Sequence, residues 1–524
     1  MIQSTFSRRT LIKRSAMTAA AVGLSQITAR SYSNIIGAND DIRISVVGFN
    51  GRGKNHIDSY LKLKGVRIVA LCDVDEAVMN KEYSRLNRPT TQPTASVAEG
   101  EVAARPKQVA MAKYQDVRKL LDDKSIDAVS IATPNHWHSL IGIWACQAVK
   151  DVYVEKPVSH NVLEGRRLVE AARKYDRIVQ AGTQWRASTA VFEAFEWAKA
   201  GNLGKILISR GLCYKRRPSI GKTEGPQPIP ETVDYDIWCG PAPKEPLRRK
   251  NLHYDWHWVW PTGCGDLGNQ GIHQMDLARW ALGKAHLSPK ILSVGGRVGY
   301  VDDGTTPNTM FVAHDYGDSM LIFEVRGLPA KAPQQSTASN DPPGAVRGRG
   351  ERMDTYKGAS IGNIVECENG YVSVMGEYNV AAYDKDGQQI KKFTGEGVQR
   401  DKNHFANFLK VVRSRKREDQ NAEIEEGHIS SALCHTGNLS YRLGHQANPN
   451  DIKDALKADK SMMETFDRMA EHLAANNIDI SIDKLTLGVP LKMDPMSERF
   501  INNDKANAML TRNYRKPYVV PDKV

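Results

Sequence analysis

The sequence predicts an α/β protein, with a parallel, doubly wound sheet first and a second, strand-rich unit after it. Three observations predict this. Short apolar runs at 42–48, 66–71, 127–132, 151–154 and 177–181 are interleaved with helical patterns, the order expected of parallel strands joined by crossover helices. The first run, IRISVVG, ends in Gly48-Phe49-Asn50-Gly51-Arg52-Gly53, and the second ends in Cys72-Asp73. Residues 291–326 and 361–384 then alternate in the manner of strands, giving a second sheet.

Composition fits a globular chain of two or three domains: 524 residues, 41% hydrophobic and 25% charged. The net charge is +12, of which Arg8, Arg9, Lys13, Arg14 and Arg30 supply five. The rest of the chain is only mildly basic and has no dense Lys/Arg block with interleaved aromatics, so no nucleic-acid partner is expected. The seven cysteines, at 72, 146, 213, 239, 264, 367 and 434, show no C-x-x-C spacing. They read as buried thiols rather than zinc, iron–sulfur or disulfide positions. His253 and His257 form one H-x-x-x-H without an evident third ligand, and no metal is expected.

Taken in order, residues 1–40 read as a signal and linker. Ser7-Arg8-Arg9-Thr10-Leu11-Ile12-Lys13 precedes a weakly apolar run from Ala16 to Leu24, and Ile27-Thr28-Ala29 offers small-residue cleavage chemistry. This resembles a twin-arginine (Tat) export signal. It implies handling by the Tat machinery and a periplasmic destination. The run is too short for a stable membrane span.

Residues 41–185 form the first domain. After the glycine turn a helix should place Ile57, Tyr60 and Leu61 on its inner face. The glycines permit a tight turn and close approach of backbone to a pyrophosphate, while helix N–H groups and the helix dipole hold the phosphates. The G-x-G-x-x-G template falls on Gly48, Asn50 and Gly53, with Asn where the second glycine is expected and Gly51 and Arg52 beside it. Asn tolerates left-handed geometry better than most residues. Asp73, 20 residues after Gly53, is placed to accept from ribose hydroxyls and to repel a 2′-phosphate. NAD is therefore expected over NADP. Residues 88–96 read as a surface insertion. Asn161-x-x-Glu164 resembles a capping box for a helix that packs Leu168, Ala171, Ala172 and Tyr175 on the sheet.

VGFNGRG, ALCDVD, SIATPNHWHS, VYVEKP, GTQWR and GCGDLGNQGIHQMDLARWALG occur in this order. Together they resemble the glucose-fructose oxidoreductase/inositol dehydrogenase (Gfo/Idh/MocA) family, over residues 41–445 and in an exported bacterial branch. The resemblance implies an N-terminal Rossmann domain and, over 186–445, a C-terminal α/β domain with a large open mixed or antiparallel sheet. The outer face of that sheet often makes subunit contacts, so a homo-oligomer, dimer or tetramer, is expected. The chemistry implied is hydride transfer between a nicotinamide and a secondary alcohol of a sugar or polyol.

Such a reaction needs a group to take the hydroxyl proton, a donor or cation to orient the oxygen, and a nicotinamide. Lys156 is the lysine of the family's Glu-Lys-Pro motif, at the C-terminal end of a predicted parallel strand. In the predicted 263–283 helix, Asn269, His273, Asp276 and Trp280 share one face. His273 matches the family's acid/base histidine, and free imidazole titrates near 6.5. The family commonly has Asp where Asn269 stands. Asp266, about a turn back, is the candidate for the missing charge. Thr133, Pro134, Asn135, His138, Glu155 and Gln184 are expected on the cofactor, with His136 either there or packed on Trp137. Arg186, Tyr254, Trp256, His257 and Asp276 are the substrate-side candidates, since aromatic rings stack on sugar faces and Arg binds oxygens. The alternative for the tryptophan-rich run 256–260 is interface core.

Residues 328–360 read as a long loop or oligomer arm, 403–413 and 426–444 as helices on the second domain, with His428 and His435 structural. Residues 446–524 form an extension wrapping the domain or a neighbouring subunit. The leading reading is a dehydrogenase with a cofactor that stays bound. Alternatives are a redox-neutral glycoside hydrolase or lyase that oxidises its substrate transiently, and a non-catalytic sugar- or nucleotide-binding protein.

Overall fold

The computed structural model describes residues 40–87, 111–331 and 352–524. The export signal, the 88–96 insertion and the centre of the 328–360 segment lie outside the described residues.

The first sheet contains β1 (Ile42–Val47), β2 (Val66–Cys72), β3 (Ala112–Tyr114), β4 (Ala128–Ile131), β5 (Asp151–Val154) and β6 (Val179–Ala181). Its order is β3-β2-β1-β4-β5-β6, and every pair is parallel. Helices cover both faces, which is why β4 and β5 are buried at every position. The order reverses between β1 and β4, opening the crevice in which such sheets bind ligands at their strand ends.

The helix Arg52–Tyr60 buries Ile57 and Tyr60 as expected, but Leu61 lies past its end and is 48% exposed. The buried place on that face belongs to His56. In the helix Val162–Lys174 the Asn161 side chain accepts from the Glu164 N–H at 2.9 Å, and the Glu164 carboxylate accepts from the His160 N–H at 3.0 Å. The first bond of the capping box is thus in place, and its return bond lands one residue before the N-cap.

The second sheet is mixed. It contains β7 (Ile206–Tyr214), β8 (Lys290–Gly296), β9 (Thr309–Asp315), β10 (Met320–Arg326), β11 (Ile361–Cys367), β12 (Gly370–Val374), β13 (Val380–Asp384), β14 (Gln389–Phe393), β15 (His445–Ala447) and β16 (Leu485–Leu487). The order is β14-β13-β12-β11-β7-β10-β9-β8-β16-β15. β10 runs parallel to β7, and its other pairings are antiparallel. Helices Ile272–Ala281 and Ile424–Arg442 pack on one face through Met275, Ala278, Leu433 and Val312. Helix Lys460–Ala475 covers the other through Phe466, Met469 and Phe311.

Two expectations are corrected. The 263–283 helix is two helices, Gly265–Asn269 and Ile272–Ala281, because the Gly271 N–H reaches back to the Asp266 carbonyl at 2.7 Å. The break packs against β10, where a Cβ on Gly271 would lie 2.8 Å from the Phe323 ring. The helix His404–Ser414 packs on the first domain, not the second: Phe405, Phe408, Leu409 and Val411 share a core with Ile42, Ile44 and Val46 of β1. The 446–524 segment wraps the domains: it supplies β16 and most of β15 and then returns to the first domain. There Tyr518 and Val520 are buried beside Val117, Leu120 and Trp137. Among the described residues no helix is long and apolar enough to cross a membrane.

Candidate active site

A cavity of about 370 Å³ opens at the C-terminal ends of β1, β2, β4 and β5. Its floor is the glycine turn. Gly48 has φ +76°, and a Cβ there would sit 2.9 Å from the Thr133 backbone; at Gly53 it would sit 2.0 Å from the Gly48 carbonyl. Gly51 faces open space. Asn50 lines the cavity but is not among the residues of positive φ, so Gly48 alone makes the left-handed turn.

Asp73 is buried at one end, accepting from the Phe49 N–H at 3.0 Å and the Asp75 N–H at 3.1 Å. Burial pushes its pKa up to about 6 despite those two donors. The next residues, Val74 and Asp75, bring no cation for a 2′-phosphate. The residues present fit NAD: a bare glycine turn for the pyrophosphate and a carboxylate for the ribose.

Arg52 donates to Glu155 at 2.8 Å, and Glu155 also meets buried His56 at 3.0 Å. Thr133, Pro134, Asn135, His138 and Glu155 all line the cavity, and Gln184 does not. His138 sits between the Pro157 and Thr133 carbonyls at 2.6 and 2.8 Å, tying the β4 and β5 loops together. His136 is buried against the Trp238 carbonyl at 2.9 Å, outside the cavity lining.

The other end is formed by Lys156, Asn269, Tyr254, Trp256 and His257. The Lys156 ammonium donates to the Asn269 carbonyl at 2.8 Å. Burial holds its pKa below the usual lysine value, and the charges of Arg52, Lys215 and Arg217 act in the same direction. His273 is 7% exposed, one turn on, and does not line the cavity. Burial and then the Lys156 charge push its pKa down to about 3, well below the ordinary value expected from sequence. It is neutral at working pH. Its Nδ1 has no hydrogen-bond partner among the described residues. His257 is likewise held down to about 3 by burial, with Nδ1 on the Tyr254 carbonyl and its ring stacked on Trp256 at 3.6 Å.

Three expectations place residues elsewhere. Asp266 is spent on Arg217 in a bidentate pair, both contacts 2.7 Å, and supplies no charge to His273. Arg186 and Asp276 pair with each other at 2.7 and 2.9 Å, buried behind the site, and Ser430 donates to Asp276. A guanidinium so buried needs a carboxylate, and neither side chain reaches the substrate end. Trp280, expected on the same stripe, stacks on Arg186 at 5.3 Å. The separated H-x-x-x-H pair diverges, His253 meeting Asp75 at 2.9 Å.

Sequence reasoning missed Lys215, Arg217, His56 and a seam over the Asp73 end. In that seam Val233 bridges Asp75, the Glu76 N–H donates to the Thr232 carbonyl at 2.8 Å, and the Asp234 N–H donates to the Val74 carbonyl at 3.0 Å. Ile237, Trp238, His253 and Trp256 then complete the cavity wall. His56 was legible as the fifth residue of the helix that follows the glycine turn. Lys215 and Arg217 follow a strand in an irregular stretch with no spacing signal.

Comparison with known proteins agrees with this architecture. A family described as an oxidoreductase family with an NAD-binding Rossmann fold matches residues 42–183, and the C-terminal α/β domain of the same family matches 203–324. A levoglucosan dehydrogenase of Pseudarthrobacter phenanthrenivorans is 27% identical over 181 residues, 34% of this chain and 38% of that protein. An inositol 2-dehydrogenase of Salmonella paratyphi B is 27% identical over 199 residues, 37% of this chain and 52% of that protein. A glycosyl hydrolase family 109 protein of a Shewanella species is 27% identical over 188 residues, 33% of this chain and 38% of that protein. The matches thus span about half or less of these relatives. Among solved structures, the WlbA dehydrogenase of Bordetella pertussis, in complex with NADH and UDP-GlcNAcA, aligns over 75% of this chain and 94% of that chain, at 18% identity and TM-score 0.50. An oxidoreductase domain protein of Kribbella flavida aligns over 76% and 96%, at 14% identity and TM-score 0.52. These two support the fold. With both domains matched, the chain belongs to the Gfo/Idh/MocA oxidoreductase family.

Proposed function

We propose that this protein oxidises a secondary hydroxyl of a sugar, glycoside or cyclitol, or reduces the corresponding ketone, with NAD(H). The observation that carries the reading is the half-buried Lys156 ammonium at one end of a cavity whose other end carries Asp73 and the glycine turn. When bound there, NAD supplies a hydride acceptor. Lys156 orients the hydroxyl oxygen and, with its proton affinity lowered by burial, takes part in moving the hydroxyl proton. Neutral His273, one turn beyond Asn269 and with an unpartnered Nδ1, is available to hold a hydrogen bond near the site, and burial keeps it a weak proton acceptor. Tyr254 and the stacked Trp256–His257 pair offer faces for a sugar ring.

The seam over the Asp73 end supports a cofactor that stays bound between turnovers. A retained cofactor also suits the second reading, a redox-neutral glycoside hydrolase or lyase, which the match to a glycosyl hydrolase family 109 protein favours. The twin-arginine segment supports export to the periplasm through the Tat machinery, and the broad second sheet supports a homo-oligomer.

The test is to acid-denature the purified protein and quantify released nucleotide, then to follow the bound nicotinamide at 340 nm with sugars and glycosides. Near-stoichiometric NAD that is reduced by a free sugar supports the dehydrogenase. Aglycone release without net NADH supports the second reading. A protein that neither contains nor binds NAD or NADP overturns both.

A further inference from the structure

Part of the wall over the cofactor cavity does not support itself. Ile237 and Trp238 reach the cavity from a helix of five residues, Tyr235–Cys239. A helix so short has too few internal hydrogen bonds to hold its own shape, so contacts from outside must hold it. On its inner side stands Trp137, which also lines the cavity and donates from its indole N–H to the Ile237 carbonyl at 3.0 Å. The helix stops at Gly240, φ +49°, where a Cβ would lie 2.2 Å from the Trp137 ring. Helix end and indole are therefore packed without slack.

The outer support comes from a segment 279 positions further along the chain. Arg515 donates to the Asp236 carboxylate at 2.8 Å, to the Asp236 carbonyl at 2.6 Å and to the Gly240 carbonyl at 3.2 Å. The Asp236 carboxylate is exposed and shared with Lys244, so that ion pair adds little. The two carbonyl bonds fix the helix end instead, satisfying acceptors that a short helix leaves open. Tyr518 is buried edge-on against the Trp137 ring, centroids 5.3 Å apart, and Arg118 of the first domain lies over the tyrosine at 5.2 Å. Residues 513–524 contain no helix or strand, and Lys516, Pro517 and Val519 are exposed between the anchors. A segment with so few buried contacts and no ladder of its own opens at a lower free energy than the sheets beneath it.

We propose that residues 513–524 are a strap that governs how long the cofactor stays bound. With Arg515 and Tyr518 seated, the helix Tyr235–Cys239 and Trp137 are pinned over the cavity. With the strap detached, that wall swings out while both sheets stay folded, and bound nucleotide exchanges with free nucleotide. The inference rests on the retained-cofactor reading above and names the segment that enforces it. Arg515 and Tyr518 are positioning residues: neither lines the cavity, and both act through the helix and Trp137.

The experiment incubates the full-length, NAD-loaded protein with excess isotope-labelled NAD. At intervals the protein is freed of unbound nucleotide and acid-denatured, and the released NAD is read by mass spectrometry. Slow exchange is expected for the parent protein. Tyr518→Ala is expected to speed it about 10–100-fold, the worth of one large buried side chain. Arg515→Met, at a partly exposed position, is expected to speed it about tenfold through its lost hydrogen bonds. Tyr518→Phe keeps the ring packing and is expected to exchange like the parent. Hydrogen exchange at the amides of 237–240 should quicken in the two fast variants. Phe466→Leu, in the core under the helix Lys460–Ala475, controls for general destabilisation: a lower melting temperature with unchanged exchange is expected. If Tyr518→Ala does not fold, Arg515→Met decides. Parent-like exchange in the folded variants overturns the strap and leaves the retained cofactor standing. Exchange quickened equally by Phe466→Leu shows a merely structural role and overturns it too. A parent protein that exchanges as fast as its variants overturns the retained-cofactor reading, and the strap with it.

Discussion

Lys156 is where residue-scale chemistry is most exposed to test. A methionine there keeps the bulk and removes the ammonium from the Asn269 carbonyl. Lys156→Met is expected to lower turnover by about 10²–10⁴-fold, the usual worth of a positioned proton-transfer group, with NAD content on denaturation unchanged. Asp73 gives a pH prediction. Burial raises its pKa to about 6 in the unliganded site. Ribose hydroxyls donate to the ionised carboxylate, so binding favours the deprotonated form and releases a proton below that value. NAD affinity is therefore expected to hold above pH 6 and to fall by up to about tenfold per pH unit beneath it. Titrations between pH 5 and 8 check this, and Asp73→Asn should flatten the profile. No ionisation from His273 is expected in the 6–7 range, because burial and Lys156 have moved it to about 3.

At the scale of single elements, what was legible divides along a physical line. The strands and turn of the first domain depend on local pattern: apolar runs buried on both faces, a glycine whose Cβ would strike Thr133, an acid at a strand end. Those were readable, as was the cavity-end position of Lys156. The 263–283 stripe was not, because the Asp266–Gly271 hydrogen bond interrupts the helix and helical phase is lost across it. Asn269 is thereby set off from His273 and Asp276, which stay on one helix, and Asp276 is taken up by Arg186. Arg186 misled for a related reason: sequence shows a residue able to bind oxygens, and only the fold shows that Asp276 already occupies it. Arg186→Met removes the bidentate partner of a carboxylate 1% exposed and leaves it only the more distant Arg279, at 3.8 Å. It is expected to cost about 3–5 kcal/mol of stability, read from denaturant midpoints, with Asp276→Asn partly rescuing it.

For the molecule as a whole, the last residues hold the two domains together. Arg515 pairs with Asp236 at 2.8 Å, Leu510 is buried in the core of the second domain, and Tyr518 and Val520 are buried in that of the first. Removing residues 508–524 takes away the burial of Leu510, Tyr518 and Val520, worth roughly 1.5–3 kcal/mol each. The truncated protein is expected to melt at lower temperature, and the first domain to lose its cooperativity with the second in calorimetry. Nothing local in the polar sequence after Asn448 announced this, since its apolar residues are few and find their partners hundreds of positions away.

The helix His404–Ser414 has a consequence for how the chain is made. It covers the side of the first sheet where Ile42, Ile44, Val46 and Tyr153 lie. As the polypeptide leaves the ribosome, that greasy surface emerges about 250 residues before its cover, an interval on the order of 10–50 s at ordinary translation speeds. The domain that begins first is thus among the last to be completed. Nascent chains stalled short of residue 404 are expected to be held by chaperones or to aggregate, and release should coincide with the arrival of Phe405 and Phe408.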